Sequence, residues 1–133
     1  MSPHRYVCHV RWSDVDAYGH VNNVKYFEYF QEARIAFVSG LVPGGRDGSD
    51  GFVVARLVVD YKRPILFRPE PFEILTWVTR VGTSSYGLLA EIRDGEQVLS
   101  VCTAAVVAFD LPGQRARPLN EAERTRLESA AAG

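Results

Sequence analysis

The chain has 133 residues, 47% of them hydrophobic and 23% charged, with a net charge of −1. That length supports one buried core and little beyond it, so one domain spanning the chain is expected. The near-neutral balance lacks the basic excess of a nucleic-acid binder and gives no reason to expect a membrane surface as partner.

The first residues, Met1 to Arg5, lead straight into a strand-like pattern with no apolar core of a secretion signal. No apolar run reaches the ~20 residues of a membrane-spanning helix. A cytoplasmic protein is expected. Tyr6 to Trp12 alternates, with Tyr6, Cys8, Val10 and Trp12 on one face, and predicts a strand. Ser13 to Asn22 reads as a loop. Asn23 to Ser39 is the longest helical signal. Wound as a helix, Lys25, Glu28, Glu32 and Ser39 form one narrow polar stripe, and most of the remaining circumference is apolar. Such a helix must be enclosed by something. Gly40 supplies its C-terminal cap and Pro43 blocks its continuation. Residues 43–51, with four glycines, read as a flexible connection.

The rest predicts β-structure. Phe52 to Lys62 and Phe72 to Val81 alternate, and Ser85 to Arg93 and Gln97 to Phe109 flank Asp94-Gly95, a hairpin signal. Asn120 and Glu123 form an Asx variant of the capping box at the start of a short C-terminal helix. Strands joined by short turns pair antiparallel, so the class is α+β: a five-stranded antiparallel sheet wrapped around a long central helix. Apolar residues on both faces of Gln97 to Phe109 imply that a second subunit covers part of the surface. A homodimer or homotetramer is expected. Cys8 and Cys102 lie in apolar alternating runs, with neither metal-ligand spacing nor a disulfide framework, and read as buried thiols. No metal or redox cofactor is expected.

The informative stretch is Arg11 to Arg34, RWSDVDAYGHVNNVKYFEYFQEAR. It resembles the active-site segment of the 4-hydroxybenzoyl-CoA thioesterase family of hot-dog proteins. Its first part, RWSDVDAYGHVNNVKY, is also similar to the matching segment of plant acyl-acyl-carrier-protein thioesterases. The predicted element order follows the hot-dog domain along nearly the whole chain. The residues carry a chemical logic of their own. Asp16 lies in a loop leading to a helix N-terminus. Thioester hydrolysis needs a group to attack the carbonyl carbon or to deprotonate water, and a carboxylate does either. It also needs donors for the oxyanion, and the unpaired amides at a helix start supply them. The resemblance implies that Asp16 is the catalytic carboxylate and that the main-chain N–H of Asn23 polarises the thioester carbonyl. The competing reading of Asp16 is a turn or capping residue. Asp14 reads as a solvated or turn-forming residue.

His20 has two readings: a hydrogen-bond donor in the site, as the resemblance to the plant enzymes implies, or a packing residue whose ring caps a backbone group. Tyr18 stands where those plant enzymes carry an asparagine assigned to catalysis, which favours an arrangement built on one carboxylate. Gly19 is expected at positive φ. Asn22 and Asn23 read as helix caps. Tyr26 faces the apolar side and either lines the acyl pocket or packs in the core. Arg34 is expected in a structural ion pair or a subunit contact. Another hot-dog subgroup uses a helix glutamate as its carboxylate, which makes Glu28 and Glu32 rival candidates. CoA brings phosphates, and Arg63, Arg68, Arg80, Ser84, Ser85 and Tyr86 near strand ends are candidates to meet them, the resemblance implying contacts from a neighbouring subunit. The substrate expected is an acyl-CoA or aryl-CoA. An acyl-carrier-protein substrate is the nearest alternative, and a non-hydrolytic acyl-binding protein of the same fold is the alternative from another class.

Overall fold

The computed structural model describes residues 3–41 and 50–132. In chain order these form β1 (His4–Cys8), a 3₁₀ turn (Trp12–Asp14), α1 (Asn23–Ser39), β2 (Asp50–Tyr61), β3 (Phe72–Val81), β4 (Ser85–Asp94), β5 (Gln97–Asp110), β6 (Arg115–Ala116) and α2 (Glu121–Ala132). Every pairing is antiparallel, in the order β1-β3-β4-β5-β2, with β6 on β5. The α+β class is as expected, but the expected five strands gain a two-residue sixth. The chain turns back along β5 through Gln114, which takes φ 53. Gly95, at φ 62, makes the anticipated β4–β5 hairpin.

β1 is shorter at its C-terminal end than the alternation predicts. Its pairing with β3 ends at Cys8 opposite Phe72. Past Val10, which is still buried, the chain bends into the 3₁₀ turn. Trp12 is thereby 72% exposed, edge-on to Phe67 at 5.2 Å. Both cysteines are buried and free. Burial pushes the Cys8 thiol up to about 12 and the Cys102 thiol up to about 11, so neither is a nucleophile at neutral pH.

α1 occupies the predicted residues. The Asn22 side chain accepts the Val24 N–H at 3.1 Å as its N-cap, and Gly40 closes it from an ordinary right-handed conformation. Tyr26, Tyr29, Phe30, Ala33 and Phe37 form its buried face. The first four of these pack with Ile74, Ala90, Ile92 and Cys102 of the sheet. Within one chain the enclosure is one-sided, because Val24, Phe27 and Ile35 stay exposed. Most of the expected glycine-rich connection, residues 43–51, lies outside the described residues.

α2 starts with the anticipated reciprocal cap. The Asn120 side chain accepts the Glu123 N–H at 2.8 Å, and Glu123 accepts the Asn120 N–H at 2.9 Å. Glu123 is buried and also takes two hydrogen bonds from the Arg117 guanidinium, at 2.9 and 3.0 Å. Asn120→Ala should therefore cost about 1 kcal/mol, the loss of one cap. Glu123→Ala should cost more, about 1.5–3 kcal/mol, because it removes a buried carboxylate that takes two hydrogen bonds from the Arg117 guanidinium and one from the Asn120 N–H. Urea midpoints at constant slope measure both.

Candidate active site

The segment between β1 and α1 is fastened by one buried carboxylate. Asp14 is 1% exposed. Its Oδ2 accepts the Tyr29 hydroxyl at 2.6 Å and the Arg11 N–H at 3.1 Å, and the Arg11 guanidinium reaches both oxygens. Its main-chain carbonyl accepts the N–H of Asn22, the helix cap, at 2.8 Å. One residue thus holds the loop to the side of α1 and to its first turn. Of the two readings of Asp14, turn-forming holds and solvated is corrected: Tyr29 points from the buried face of α1 at the spot where the 3₁₀ turn brings Asp14 inside. Burial alone would raise the Asp14 carboxyl, but the hydrogen bonds from Tyr29 and Arg11 outweigh it and hold the group below the usual carboxylate value. Burial and the bond to Asp14 push the Tyr29 phenol up, so it stays a donor.

Two residues on, Asp16 builds the loop with half of its carboxylate. Oδ1 accepts the N–H groups of Tyr18 at 2.8 Å and His20 at 3.1 Å. The Asp16 and His20 main chains bond at 2.8 Å, and Gly19 turns the chain at φ +77 as expected. The loop is then stitched to residues 65–67 by Val21 N–H to the Ile65 carbonyl at 2.8 Å and a bridge from His20 to Leu66. Asp16 therefore is a turn residue, as its structural reading held. Its Oδ2, however, has no protein partner among the described residues. The carboxylate borders a cavity of about 230 Å³ shared with His20, Asn23, Tyr26, Tyr61, Lys62 and Arg63.

Asn23 is the first residue of α1, and its N–H has no hydrogen-bond partner among the described residues. Its carbonyl accepts the Tyr61 hydroxyl at 3.1 Å, which pins the helix start to the end of β2. Tyr26 is 2% exposed and accepts the Ile65 N–H at 3.1 Å, with its ring edge-on to Tyr61 at 4.8 Å. It is both core and cavity wall. The cavity is thus bordered by Asp16, with one carboxylate oxygen unpaired among the described residues, by Asn23, with its amide likewise unpaired, and by Lys62 and Arg63. Such a site can hold a polarised carbonyl beside a base and an anionic group nearby.

The His20 ring borders the cavity beside Tyr18 and makes no hydrogen bond among the described residues. Its main chain, not its ring, carries the structural role. Glu28 and Glu32 face a different cleft with Tyr6, His9 and Arg11, so the rival helix carboxylates are not brought to Asp16. Arg34 forms no ion pair among the described residues; it is half-buried beside Ile35, Val38 and Phe52. Ser84 and Ser85 are not brought to the cavity within one chain. Ser85 pairs with Val107 and Val107 with Val53, whereas Tyr61 pairs with Ser100 in the opposite row of the sheet. The two rows are roughly 25 Å apart at about 3.3 Å per residue. Ser85 instead accepts the Arg80 guanidinium at 3.1 Å. Tyr29, Tyr61 and Lys62 were not anticipated from the sequence. Tyr61, the last residue of β2 before Lys62-Arg63-Pro64, carried a signal of sorts, an aromatic ahead of a basic turn.

A family model for the Thioesterase-like superfamily matches residues 10–127. The chain belongs to that superfamily. Among curated proteins, this thioesterase-like chain is 31% identical to YsmA of Bacillus subtilis, over 90% of the chain and 82% of that protein. It is 28% identical to the long-chain acyl-CoA thioesterase FadM of Escherichia coli, over 90% of the chain and 92% of that protein. Among solved structures it is similar to a thioesterase from Thermus thermophilus determined with coenzyme A and zinc. The identity there is 31%, the TM-score 0.83 and the coverage 97% and 94% of the two chains. The hot-dog architecture anticipated from the Arg11–Arg34 motif is thereby the family's fold.

If Asp14 fastens the loop, Tyr29→Phe should destabilise the protein by about 1.5–3 kcal/mol, the range for a bond to a charged group. The depressed carboxyl of Asp14 stabilises the fold at pH above its unfolded value. That contribution is lost as pH falls through its folded value. Asp14→Asn should lower stability at neutral pH and flatten the acid limb of a urea-midpoint-against-pH curve.

Proposed function

We propose that this protein hydrolyses an acyl-CoA or aryl-CoA thioester to the free acid and CoA. The observation that carries the reading is the free Oδ2 of Asp16 and the free N–H of Asn23 on one cavity at the start of α1. With the carbonyl oxygen on the Asn23 N–H, the carbon is electrophilic and the helix dipole favours the developing oxyanion. Asp16 either takes a proton from the attacking water or adds to the carbon itself. In both routes the C–S bond breaks, the thiolate leaves with a proton, and one water is consumed. Oδ1 stays in its two loop bonds, so the reacting oxygen is Oδ2. His20 borders the same cavity and offers a ring nitrogen to the substrate.

The cationic side chains of Lys62 and Arg63 at the cavity suit the phosphates of CoA. The same charges suit an acidic carrier protein, which keeps an acyl-carrier substrate as the second reading. FadM and the CoA-bound Thermus structure support the CoA reading. Loss of turnover with retained acyl-CoA binding would identify the non-hydrolytic alternative.

The assembly proposed is a homodimer or a homotetramer built on it. β2 is a terminal strand of the sheet, with Val53, Val54, Val58 and Tyr61 exposed, next to the exposed Phe27 and Ile35 of α1. A two-fold pairing of β2 with a second β2 closes that open edge. It also reverses the partner's sheet, bringing the partner's β4 start, with its own Ser84 and Ser85, to the Asp16 end. That geometry gives these serines a route to the substrate that one chain lacks. The protein is proposed to act in the cytoplasm; among the described residues no helix is long and apolar enough to cross a membrane.

Thiol release over short, medium, long and aromatic acyl-CoAs should find turnover on at least one substrate. Asp16→Asn should lower kcat by roughly 10²–10⁴, the range for a positioned acid-base group. Arg63→Ala should raise KM for the CoA ester and leave kcat for the matched pantetheine ester unchanged. Undiminished turnover by Asp16→Asn would end the proposal.

A further inference from the structure

A second cavity, of about 490 Å³, lies at the other end of α1. Its walls come from the start of β1, the C-terminal end of α1, the middle of β3 and one side of α2. From Asn23 to its α1 wall at Phe37 is about 20 Å at 1.5 Å per residue. It adjoins the β1–β3 side of the sheet, so a partner seated on β2 leaves it open.

Two buried polar atoms on residues that line this cavity have no hydrogen-bond partner among the described residues. His4 and Thr76 are paired across β1 and β3, and both line the cavity. Thr76 is 3% exposed, yet its Oγ1 has no hydrogen-bond partner among the described residues; neither has the buried Nδ1 of His4. An unmatched buried hydroxyl is destabilising, and native proteins leave few of them. Valine would fill the Thr76 position with no such cost, because the neighbouring inward positions on β3, Ile74 and Val78, are aliphatic and buried. The His4 ring stands edge-on to Phe37 at 5.8 Å, and burial lowers its basicity, so at neutral pH the ring is uncharged and one nitrogen is free to donate.

The remaining chemistry of the walls has a clear sign. Phe37, Leu41 and Val78 supply apolar surface, and among the described residues no carboxylate lines the cavity. Among the described residues its one full charge is Arg126, on α2. That guanidinium makes no ion pair among the described residues; one N–H goes to the Gly40 carbonyl at 3.2 Å. The end of α1 contributes a partial negative charge of about half a unit, and Arg126 already sits on it with a whole positive one. A ligand matching these walls has an apolar body and one anionic group that accepts hydrogen bonds.

We propose that this cavity is a binding site for a small monocarboxylic acid. The carboxylate accepts from Arg126 and the Thr76 hydroxyl, and the hydrocarbon lies against Phe37, Leu41 and Val78. The site is separate from the Asp16 cavity and does not depend on the hydrolysis reading.

The test is an amide-shift titration of the full chain with sodium octanoate, with octan-1-ol and octylamine as neutral and cationic controls. Octanoate should produce saturable shifts around His4, Phe37, Thr76 and Arg126, and the two controls should not. Thr76→Val and Arg126→Gln should each weaken binding by roughly tenfold, the effect of one lost charge-assisted hydrogen bond. Thr76→Val should keep or raise the melting temperature, which separates loss of the site from loss of the fold. The proposal is overturned by octanoate shifts confined to the Asp16 loop and Asn23, by equal responses to the controls, by unchanged affinity in both variants, or by no shifts at all.

Discussion

The buried hydrogen bond from Tyr29 to Asp14 is the constraint on which the site rests. A carboxylate in the interior is costly unless it is fully met, and here a phenol, a guanidinium and a main-chain amide meet it. The same residue gives its carbonyl to the N-cap of α1. The loop before the helix therefore cannot move without opening a buried charge network. Its geometry is fixed relative to the helix start, to which Tyr61 adds a second anchor on the Asn23 carbonyl.

Asp16 inherits this rigidity. One of its oxygens is consumed in two bonds to the loop's own amides, which orients the carboxylate, and the other has no protein partner among the described residues while the residue, itself exposed, borders the cavity. A turn aspartate and a reactive aspartate are thus compatible descriptions of one residue. The amide of Asn23 is unpaired for a reason intrinsic to helices: the first turn has no carbonyl behind it. The fold places an ordinary defect of helix geometry and an ordinary turn residue on one cavity, and the proposed chemistry draws on both.

Much of this was legible in the sequence. Local signals came through where they were strong: the helix bounds with Asn22 as cap, the Asp94-Gly95 hairpin, the positive φ of Gly19, and the Asn120–Glu123 cap. The Arg11–Arg34 run identified the family. What the sequence hid was tertiary. Asp14 reads as solvated or turn-forming because nothing local reveals that Tyr29, fifteen residues on, will meet it. Trp12 continues the alternation of β1, but β3 supplies no partner beyond Phe72 and the chain turns away. Tyr61 and Lys62 reach the cavity only because β2 ends beside the helix start. Ser84 and Ser85 were candidates for phosphate contact near a strand end, yet they lie at the far row of the sheet, a separation set by register and invisible to composition.

The central claim is that one carbonyl can touch both the Asp16 carboxylate and the Asn23 amide. The most direct measurement is a crystal structure with a non-hydrolysable ketone analogue of an acyl-CoA. The account predicts the ketone oxygen within hydrogen-bond distance of the Asn23 nitrogen, with its carbon facing Asp16 Oδ2. An analogue whose ketone points away from the start of α1, or is lodged where the residue-16 carboxylate cannot reach it, would contradict the account.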